Sequence, residues 1–464
     1  MSTRRPGLTS QIKEVLIQRG LEARLRAVTN AAASPTLAPD ATAGGASNTA
    51  PGLTPGTAGA DPQAIPEAFT RFDLHPGYRQ LRIMSEGAAQ LGLQSPFFRA
   101  HEGIAGARTR IADREYLNFS SYNYLGLNGH PAVSEAAKAA IDRYGTSVSA
   151  SRAVSGERPL HRQLEAALAR AYGVEDAVAF VSGHATNVTM IGHLFGPRDL
   201  IIHDELIHNS SLQGIRLAGA RRLSFPHNDW AALDALLAQH RHGHERALVV
   251  IEGLYSMDGD YPDLPRFIEI KRRHQAFLMV DEAHSFGIMG DQGLGIREHF
   301  GLDGADVDIW MGTLSKALSG CGGYVAGSAA LVEHLKFLAP GFLYSVGLAP
   351  PLAAASLASL EHLRANPALP RQLRSRGALF LQLARDAGID TGHSAGLCVI
   401  PVIVGGSVRA TRLSQALFEQ GINVQPILYP AVPEQQARLR FFVSSEHTEQ
   451  DIHTAVEAVT RELR

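Results

Sequence analysis

Polar residues that could perform chemistry follow four short apolar segments of the sequence. The segment Phe277–Val280 is followed by Asp281-Glu-Ala-His-Ser, and Ile309–Met311 is followed by Gly312-Thr-Leu-Ser-Lys. Val178–Val181 precedes Ser182-Gly-His-Ala-Thr-Asn, and Ala247–Ile251 precedes Glu252-Gly-Leu-Tyr-Ser-Met-Asp-Gly. If these segments are parallel β-strands, their carboxyl ends bring the polar residues together at one edge of a sheet.

A carboxylate, a hydroxyl-rich glycine turn and a lysine at successive strand ends indicate pyridoxal phosphate as cofactor. The lysine can form a Schiff base, a buried aspartate can keep the pyridine nitrogen protonated, and a glycine turn at a helix N-terminus can bind the phosphate. The Asp-Glu-Ala-His run alone also suggests a helicase, but the chain has no G-x-x-x-x-G-K-[ST] loop. His203, Asp204, Glu205 and His208 could suggest a metal site. A structural histidine at a strand end is commoner, and we predict no metal.

The elements that must position these residues alternate between apolar strands and amphipathic helices. Further strands are predicted at Leu200–Ile202 and Gly323–Ala326, with helices at Pro159–Tyr172, Asp229–Gln239 and Pro265–Arg273. This alternation favours a mainly parallel central sheet with helices on both faces. The later chain has predicted strands at Val399–Val404 and near Arg438–Val443 and a helix at Glu449–Leu463. We therefore predict an α/β protein with a large domain over 131–365 and a smaller α+β domain over 366–464.

The first 130 residues divide into three predicted parts. Apolar spacing predicts a helix within residues 1–28. Residues 29–66 lack lysine, arginine and aromatic residues, which predicts a disordered linker. Residues 67–130 form an N-terminal segment of the globular part. Later in the chain, a charge-free stretch lies between Lys336 and Glu361. Its prolines and glycines favour a buried loop and a helix at Leu352–Arg364 over a membrane span.

Composition bounds the protein class. The 464 residues carry 43 basic and 45 acidic side chains, a net charge of −2, which disfavours a generally basic nucleic-acid binder. Two cysteines cannot form a disulfide framework, and no secretory signal is recognisable. We therefore expect a cytoplasmic protein with no membrane span and no nucleic-acid partner.

Over roughly residues 100–464 the sequence resembles the α-oxoamine synthases, a pyridoxal-phosphate family that includes serine palmitoyltransferase and 8-amino-7-oxononanoate synthase. The similar motifs are Asn118-Phe-Ser-Ser-Tyr-Asn-Tyr-Leu-Gly-Leu, Gly145-Thr-Ser, Ser155-Gly with His161, His208-Asn-Ser, Ser256-Met-Asp-Gly, Asp281-Glu-Ala-His-Ser, Thr313-Leu-Ser-Lys, and Arg438-Leu-Arg with Ser444. The Tyr122-Asn-Tyr-Leu-Gly form is more similar to the serine palmitoyltransferase branch. The resemblance implies an aspartate aminotransferase-like fold and a homodimer with its site at the subunit interface.

The resemblance also implies a role for each matching residue. Lys316 is expected to hold the cofactor and then remove the amino acid's Cα proton, and Asp281 to pair with the pyridine nitrogen. His208 is expected to stack on the ring and to polarise the thioester carbonyl. The ring hydroxyl would be bound by His284 and Ser256, and the phosphate by Thr313, Gly183 and His184. On the substrate side, Arg440 would bind the carboxylate, and Asn123 and Tyr122 would line the same end.

Three departures from the family pattern qualify this resemblance. His184 stands where an aromatic residue is usual. The hydroxyl pair that reaches the neighbouring subunit's phosphate reads Ser345-Val-Gly, so that only Ser345 keeps a hydroxyl group. A second arginine near Leu428, expected for serine palmitoyltransferase, is absent, which leaves serine as substrate unsupported.

The reaction implied is a decarboxylative Claisen-type condensation of an α-amino acid with an acyl thioester, giving an α-amino ketone. The run Ser95-Pro-Phe-Phe-Arg-Ala-His-Glu-Gly is similar to synthase modules of polyketide-type assembly lines, which favours an acyl carrier protein over coenzyme A as acyl donor. The alternatives are an aminotransferase or lyase on the same fold, and a non-catalytic subunit. The presence of Lys316, Asp281, His208 and His284 argues against the last.

Overall fold

The structure is a computed structural model that describes residues 65–464. The predicted N-terminal helix, and the predicted linker up to residue 64, lie outside the described residues. The chain divides into two compact units with a boundary between Ser95 and Pro96. The described part of the first unit, residues 65–95, contains the short 3-10 helices Glu67–Phe69 and Phe72–Leu74 and the α-helix Pro76–Gln90.

The second unit, residues 96–464, is built on a seven-stranded sheet. Its strands are β3 (Asp176–Phe180), β4 (Leu200–Asp204), β5 (Arg221–Phe225), β6 (Ala247–Glu252), β7 (Phe277–Asp281), β8 (Ile309–Thr313) and β9 (Gly323–Gly327). They lie in the order β3-β9-β8-β7-β6-β4-β5. Only β9 is antiparallel to its neighbours, β3 and β8. The other six strands therefore run in one direction and end at the same edge.

Two three-stranded sheets complete the unit. One contains β10 (Val399–Gly405), β13 (Ala437–Phe442) and β12 (Gln425–Ile427), all antiparallel. The other joins β1 (Arg108–Ile111) and β2 (Arg114–Asn118) to β11 (Ile422–Asn423). Strands β2 and β11 are parallel, and the Asn423 side chain donates to Asn118 Oδ1 at 3.0 Å. A late segment of this unit is thus hydrogen-bonded to one of its first strands.

Helices connect the strands of this unit, and their ends follow the local sequence. In Pro159–Tyr172, Pro159 suits the first turn because it has no N–H to satisfy, and Gly173 ends the helix with φ of 68°. The other α-helices are Pro131–Tyr144, Gly183–Leu194, Asn209–Ala218, Trp230–His240, Leu264–Arg273, Ile296–Phe300, Ala329–Leu338, Pro340–Leu343, Pro350–Ala365, Ala368–Asp386, Ser407–Glu419 and Glu449–Leu463. Short helices of other types lie at Arg152–Gly156, Arg241–Gly243, Gly304–Asp306 and Glu434–Gln436.

The central strands are buried on both faces, as the unbroken apolar runs of the sequence predict. All six residues of β6 are buried, and Trp310 of β8 is fully enclosed with its indole N–H donating to the Gly304 carbonyl oxygen at 2.8 Å. This core fixes the strand ends, because a shift of one residue would turn every side chain to the opposite face.

The predicted mainly parallel sheet is confirmed, and the helices Pro159–Tyr172 and Glu449–Leu463 have the predicted bounds. The edge strand β5 was not predicted. The prediction of a buried loop in the charge-free stretch was wrong at Tyr344, whose exposed fraction is 83%, because only its neighbours Phe342 and Leu348 face the core. Within residues 65–464 no helix combines the length and the apolarity that a membrane crossing requires.

Candidate active site

Lys316 lies three residues after β8 and lines two adjoining pockets. The first, called here the inner pocket, is lined by Gly183, His184, Asn187, His208, Ser210, Glu252, Asp281, Ala283, His284, Met311, Thr313 and Lys316. The second, called the outer pocket, is lined by His101, Ala105, Asn118, Ser120, Ser121, Tyr122, Asn123, Asn128, Ser315, Lys316, Ser319, Gly320 and Gln425. The structure therefore brings seven of the predicted site residues into the inner pocket and three into the outer one, with Lys316 common to both.

A buried hydrogen-bonded row ends at Lys316. Tyr124 Oη lies 2.8 Å from His284 Nδ1, and His284 Nε2 lies 3.0 Å from Lys316 Nζ. Burial, and then the positive charge of Lys316, lower the pKa of His284 well below its ordinary value, so the ring is neutral. Burial lowers the pKa of Lys316 to about 8, although Asp281 and Glu252 oppose this shift. At pH 7 about a tenth of Lys316 is therefore an uncharged amine, the form that attacks an aldehyde.

Asp281 is held as an acceptor at the end of β7. Its Oδ2 accepts a hydrogen bond from Asn187 Nδ2 at 2.9 Å, and its Oδ1 accepts from the Ala283 amide at 3.0 Å. The residue is 5% exposed. A carboxylate so placed can pair with a protonated ring nitrogen in the inner pocket.

A second buried carboxyl group stands beside Asp281. Glu252 ends β6 and pairs in register with Asp281 of β7. Burial, and then the Asp281 carboxylate, raise the pKa of Glu252 well above its ordinary value, so Glu252 is protonated. Its Oε1 is buried without a hydrogen-bond partner among residues 65–464. Glu252 therefore adds no negative charge beside Asp281.

His208 begins the helix Asn209–Ala218 on the other side of the inner pocket. Its Nδ1 lies 2.7 Å from Ser210 Oγ, and the His184 ring meets its ring edge to face at 6.5 Å between centroids. The residue is exposed at the mouth of the pocket, yet enough protein surrounds the ring that desolvation lowers its pKa. His208 is therefore neutral and faces the space that Lys316 and Asp281 enclose.

The opposite end of the inner pocket is suited to a phosphate group. The helix Gly183–Leu194 begins there; the Ser182 hydroxyl oxygen accepts from the Ala185 amide, and among residues 65–464 the amides of Gly183 and His184 have no partner and can donate to an anion. A Cβ at Gly183 would lie 3.0 Å from Thr313 Oγ1, so a side chain at this position would narrow the pocket. Together with a lysine of lowered pKa and a buried carboxylate, these amides fit pyridoxal phosphate. Among residues 65–464 no group of three or more metal-binding side chains occurs.

Arg440 and Ser256 lie beside these pockets rather than in their linings. Arg440, in β13, donates from Nη1 to the Ser256 carbonyl oxygen at 3.2 Å and packs on the Phe442 ring at 4.5 Å. Within residues 65–464 its Nε and Nη2 have no hydrogen-bond partner, which leaves two parallel donors for a carboxylate. The positive charge of Arg440 also lowers the pKa of Lys316.

The outer pocket is bounded by Tyr122 and Asn123. Lys316 Nζ lies 5.4 Å from the centroid of the Tyr122 ring. The Asn123 side chain donates to the Ala105 carbonyl oxygen at 3.0 Å and accepts from the Asn128 amide at 3.1 Å. These bonds give Asn123 a structural task in the pocket wall, and its contact with substrate stays a prediction. Ser345 lines a separate small cavity together with Arg152 and Phe342.

Comparison with known proteins places this geometry in a family. The sequence profile described as aminotransferase class I and II matches residues 114–459. The 8-amino-7-oxononanoate synthase of Geobacter sulfurreducens is 43% identical over 77% of this chain and 92% of its own. The chain belongs to the α-oxoamine synthase family. The serine palmitoyltransferase of Sphingomonas wittichii superposes with a TM-score of 0.79 at 29% identity, over 83% of this chain and 97% of its own. The 8-amino-7-oxononanoate synthase of Francisella tularensis gives 0.66 at 26% identity, over 75% and 97%.

The family and its fold, expected from the sequence, are confirmed. This α-oxoamine synthase is a pyridoxal-phosphate-dependent acyltransferase that condenses an α-amino acid with an acyl thioester and releases carbon dioxide, giving an α-amino ketone. The higher identity to an 8-amino-7-oxononanoate synthase shows that the Tyr122-Asn-Tyr motif does not by itself assign the chain to the serine palmitoyltransferase branch.

Around the inner pocket of this synthase, four polar residues received no role from the sequence: Tyr124, Asn187, Ser210 and Glu252. Asn187 and Glu252 stand in the strand-end motifs, and Ser210 and Tyr124 stand in family motifs. Their position next to polar partners was the available signal, but their hydrogen bonds depend on tertiary contacts that motif spacing does not reveal.

Proposed function

We propose that Lys316, Asp281, His208, His284 and Arg440 carry the synthase reaction. The observation that carries this proposal is the position of Lys316 Nζ, which lies at the junction of the two pockets and 3.0 Å from His284 Nε2. Pyridoxal phosphate supplies a ring that withdraws electron density from the amino acid's Cα. Lys316 accepts the Cα proton, for which a pKa of about 8 is suitable near neutral pH.

The remaining residues bind and orient. Arg440 would bind the amino acid's carboxylate through Nε and Nη2, and Asp281 would pair with the cofactor's ring nitrogen. His284 and Ser256 would hold the ring hydroxyl, and Thr313, Gly183 and His184 would hold the phosphate. Tyr122 and Asn123 shape the outer pocket, which we propose admits the acyl thioester. Burial of these groups strengthens their electrostatic interactions because little water screens them.

We further propose that the acyl group arrives on an acyl carrier protein. The segment that resembles assembly-line modules reaches the outer pocket, since His101 and Ala105 line it. Next to this lining, Phe98 is fully exposed and Ile104 is 59% exposed. Exposed apolar residues at a pocket entrance are typical of a protein-docking surface. A thioester on a flexible carrier arm could enter here while the carrier protein contacts Phe98.

A direct test compares acyl-CoA with the same acyl group on a carrier protein. For the wild type, kcat/KM should be higher with the carrier thioester. Phe98→Ala should lower kcat/KM roughly tenfold with the carrier thioester and leave the acyl-CoA value within twofold. Phe337→Ala is the matched control, because Phe337 is 64% exposed on a helix that lines neither pocket. Equal wild-type values for both donors would remove the support for a carrier protein.

The amino acid can be identified by Cα–H exchange in heavy water across a panel of amino acids, read by mass spectrometry. One small amino acid should exchange, faster in the presence of the thioester, and carbon dioxide should follow. Accumulation of the pyridoxamine form of the cofactor with no effect of the thioester would instead support an aminotransferase.

We also propose a cytoplasmic homodimer. Ser345 does not line the inner pocket, and Tyr344 and Val346 beside it are exposed, which supports a contact of this segment with a neighbouring subunit. Both cysteines, Cys321 and Cys398, are free thiols, as suits a reducing compartment. Sedimentation of the purified protein tests the dimer, and a monomer that is fully active would contradict it.

A further inference from the structure

The protonation pattern of His208 follows from one backbone contact. His208 precedes the helix Asn209–Ala218, and its Nδ1 accepts a hydrogen bond from the Ser210 backbone amide at 3.2 Å. An amide N–H can only donate, so Nδ1 must carry a lone pair rather than a proton. Since the His208 ring is neutral, its proton resides on Nε2.

A chain of side-chain hydrogen bonds supports the same tautomer. Asn187 Nδ2 lies 2.9 Å from Ser210 Oγ and 2.9 Å from Asp281 Oδ2. The carboxylate only accepts, so the amide nitrogen of Asn187 must face it and donates to Ser210 as well. The Ser210 hydroxyl group, having accepted from Asn187, directs its own proton to His208 Nδ1 at 2.7 Å. The order of donation is therefore Asn187 to Ser210 to His208.

Burial restricts the movement of the side chains in this row of hydrogen bonds. Asn187 and Ser210 are each 1% exposed, and Asp281 is 5% exposed. The helices Gly183–Leu194 and Asn209–Ala218 that carry Asn187 and Ser210 pack directly on each other, and Gly214 permits this, since a Cβ there would lie 2.7 Å from the Asn187 carbonyl oxygen. The chain thus connects the two sides of the inner pocket, from Asp281 to His208.

We propose that Ser210 and Asn187 are positioning residues that hold His208 as a hydrogen-bond donor through Nε2–H toward the acyl carbonyl oxygen. This inference rests on the proposed function of the same site. Within residues 65–464 no group forms a hydrogen bond with His208 Nε2, which leaves it free for a substrate oxygen. In this tautomer His208 cannot accept the Cα proton at Nε2, which leaves that step to Lys316 rather than to His208. The oxygen that His208 binds becomes more negative during attack, and the donor stabilises it.

The test combines a direct observation of the tautomer with a split between two reaction steps. Wild type and Ser210→Ala are labelled with 15N-histidine as holoenzymes, and the His208 signals are assigned by their loss in His208→Asn. The wild type should show a protonated Nε2 and an unprotonated Nδ1 between pH 6 and 9. Ser210→Ala should show a measurable population of the Nδ1–H form, because the hydroxyl donor is gone.

The same variant should lower kcat/KM for the acyl donor roughly tenfold, the effect of one hydrogen bond, while Cα–H exchange changes less than twofold. Ser211→Ala is the matched control, since Ser211 is equally buried on the same helix but lines neither pocket. Ser211→Ala should match the wild type in both readouts.

Three results would overturn the inference. They are an Nδ1–H tautomer in the wild type, an unchanged His208 spectrum in Ser210→Ala, and an equal loss of acyl transfer and Cα–H exchange, which would place Ser210 with Asp281 and the cofactor instead. If the wild type makes no amino ketone, the proposed function fails, and the spectra still decide the tautomer on their own.

Discussion

The buried ion cluster around His227 should make the stability of this protein depend on pH. His227 lies between two carboxylates, with Nδ1 at 3.0 Å from Asp204 Oδ1 and Nε2 at 2.9 Å from Asp260 Oδ2. Burial lowers the pKa of His227, but the hydrogen bonds and charges of both carboxylates outweigh it and raise the pKa from 6.5 to about 10. The ring is therefore a cation at neutral pH.

The size of the effect follows from the two pKa values. The difference between 6.5 and about 10, at about 1.36 kcal/mol for each pKa unit, corresponds to an upper limit of about 5 kcal/mol. The side chain of His227 is 17% exposed, so solvent screening reduces this, and we expect about 2–3 kcal/mol. Because the folded pKa is the higher one, this stabilisation is complete below pH 6.5 and is lost as the pH rises toward 10.

The assay is urea unfolding of the wild type and His227→Gln at each pH unit from 6 to 10. The difference in unfolding free energy between the two proteins should be about 2–3 kcal/mol larger at pH 6 than at pH 10. Asp260→Asn should remove part of the pH dependence, because one of the two carboxylates remains. A wild-type advantage over His227→Gln that is constant across this range would refute the reasoning.

His227→Gln should also weaken amino-acid binding, because the ion cluster around His227 holds the turn that supports Arg440. The Asp260 carboxylate pairs with His227 Nε2. The backbone carbonyl oxygen of Asp260 accepts a hydrogen bond from the Tyr255 amide at 2.9 Å. The next residues, Ser256 and Met257, are the two that Arg440 contacts. We therefore expect a raised KM for the amino acid at pH 8, measured in steady-state assays.

Three further predictions concern single substitutions in or beside the site. Between pH 5 and 9 the unfolding free energy of Glu252→Gln should fall less than that of the wild type, measured by urea titration of the cofactor-free proteins. A carboxyl group whose pKa is raised by folding destabilises the fold once the pH exceeds its pKa in the unfolded chain. Parallel curves of unfolding free energy against pH would contradict this. Arg440→Lys should raise the amino-acid KM roughly tenfold in steady-state assays while the absorbance of the bound cofactor is unchanged, since lysine cannot make two parallel bonds to a carboxylate; an unchanged KM would remove Arg440 from the carboxylate site. Gly287→Ala should cost about 2 kcal/mol in urea unfolding and lower cofactor occupancy, because φ is 88° and the new Cβ would lie 2.3 Å from Ala317 Cβ, next to Lys316; wild-type values for both would contradict it.

Much of the sheet could be predicted because its signals are local. Unbroken apolar runs predicted β6 and β7, and Pro159 and Gly173 marked the ends of one helix. The edge strand β5 gave no such signal, since four of its five residues are partly or fully exposed. The direction of β9 could not be predicted either, because a strand's orientation depends on its neighbours and not on its own composition.

In the candidate site, too, some residues could be predicted from local motifs and others depend on tertiary contacts. Strand ends identified Lys316, Asp281 and the turn at Gly183 from the residues alone, since parallel strands end at one edge. Arg440 was placed there only by resemblance, because it lies more than a hundred residues further along the chain and reaches the site through a different sheet. The bond between Asn187 and Ser210 depends on how two helices pack, which neither motif encodes.

The long-range ties of the outer pocket have a consequence for how the protein is made on the ribosome. The segment that bears Tyr122 and Asn123 is secured by residues near the other end of the chain, for the Ser444 hydroxyl group donates to the Asn123 carbonyl oxygen at 3.0 Å, across 321 positions. The strands that position Lys316 are all complete by Gly327. A nascent chain can therefore form the central sheet early, but the loop with Tyr122 must wait until translation is almost finished. During that interval Tyr122 and Tyr124 lack Phe442, the ring on which they pack, and apolar surface left uncovered in this way favours aggregation.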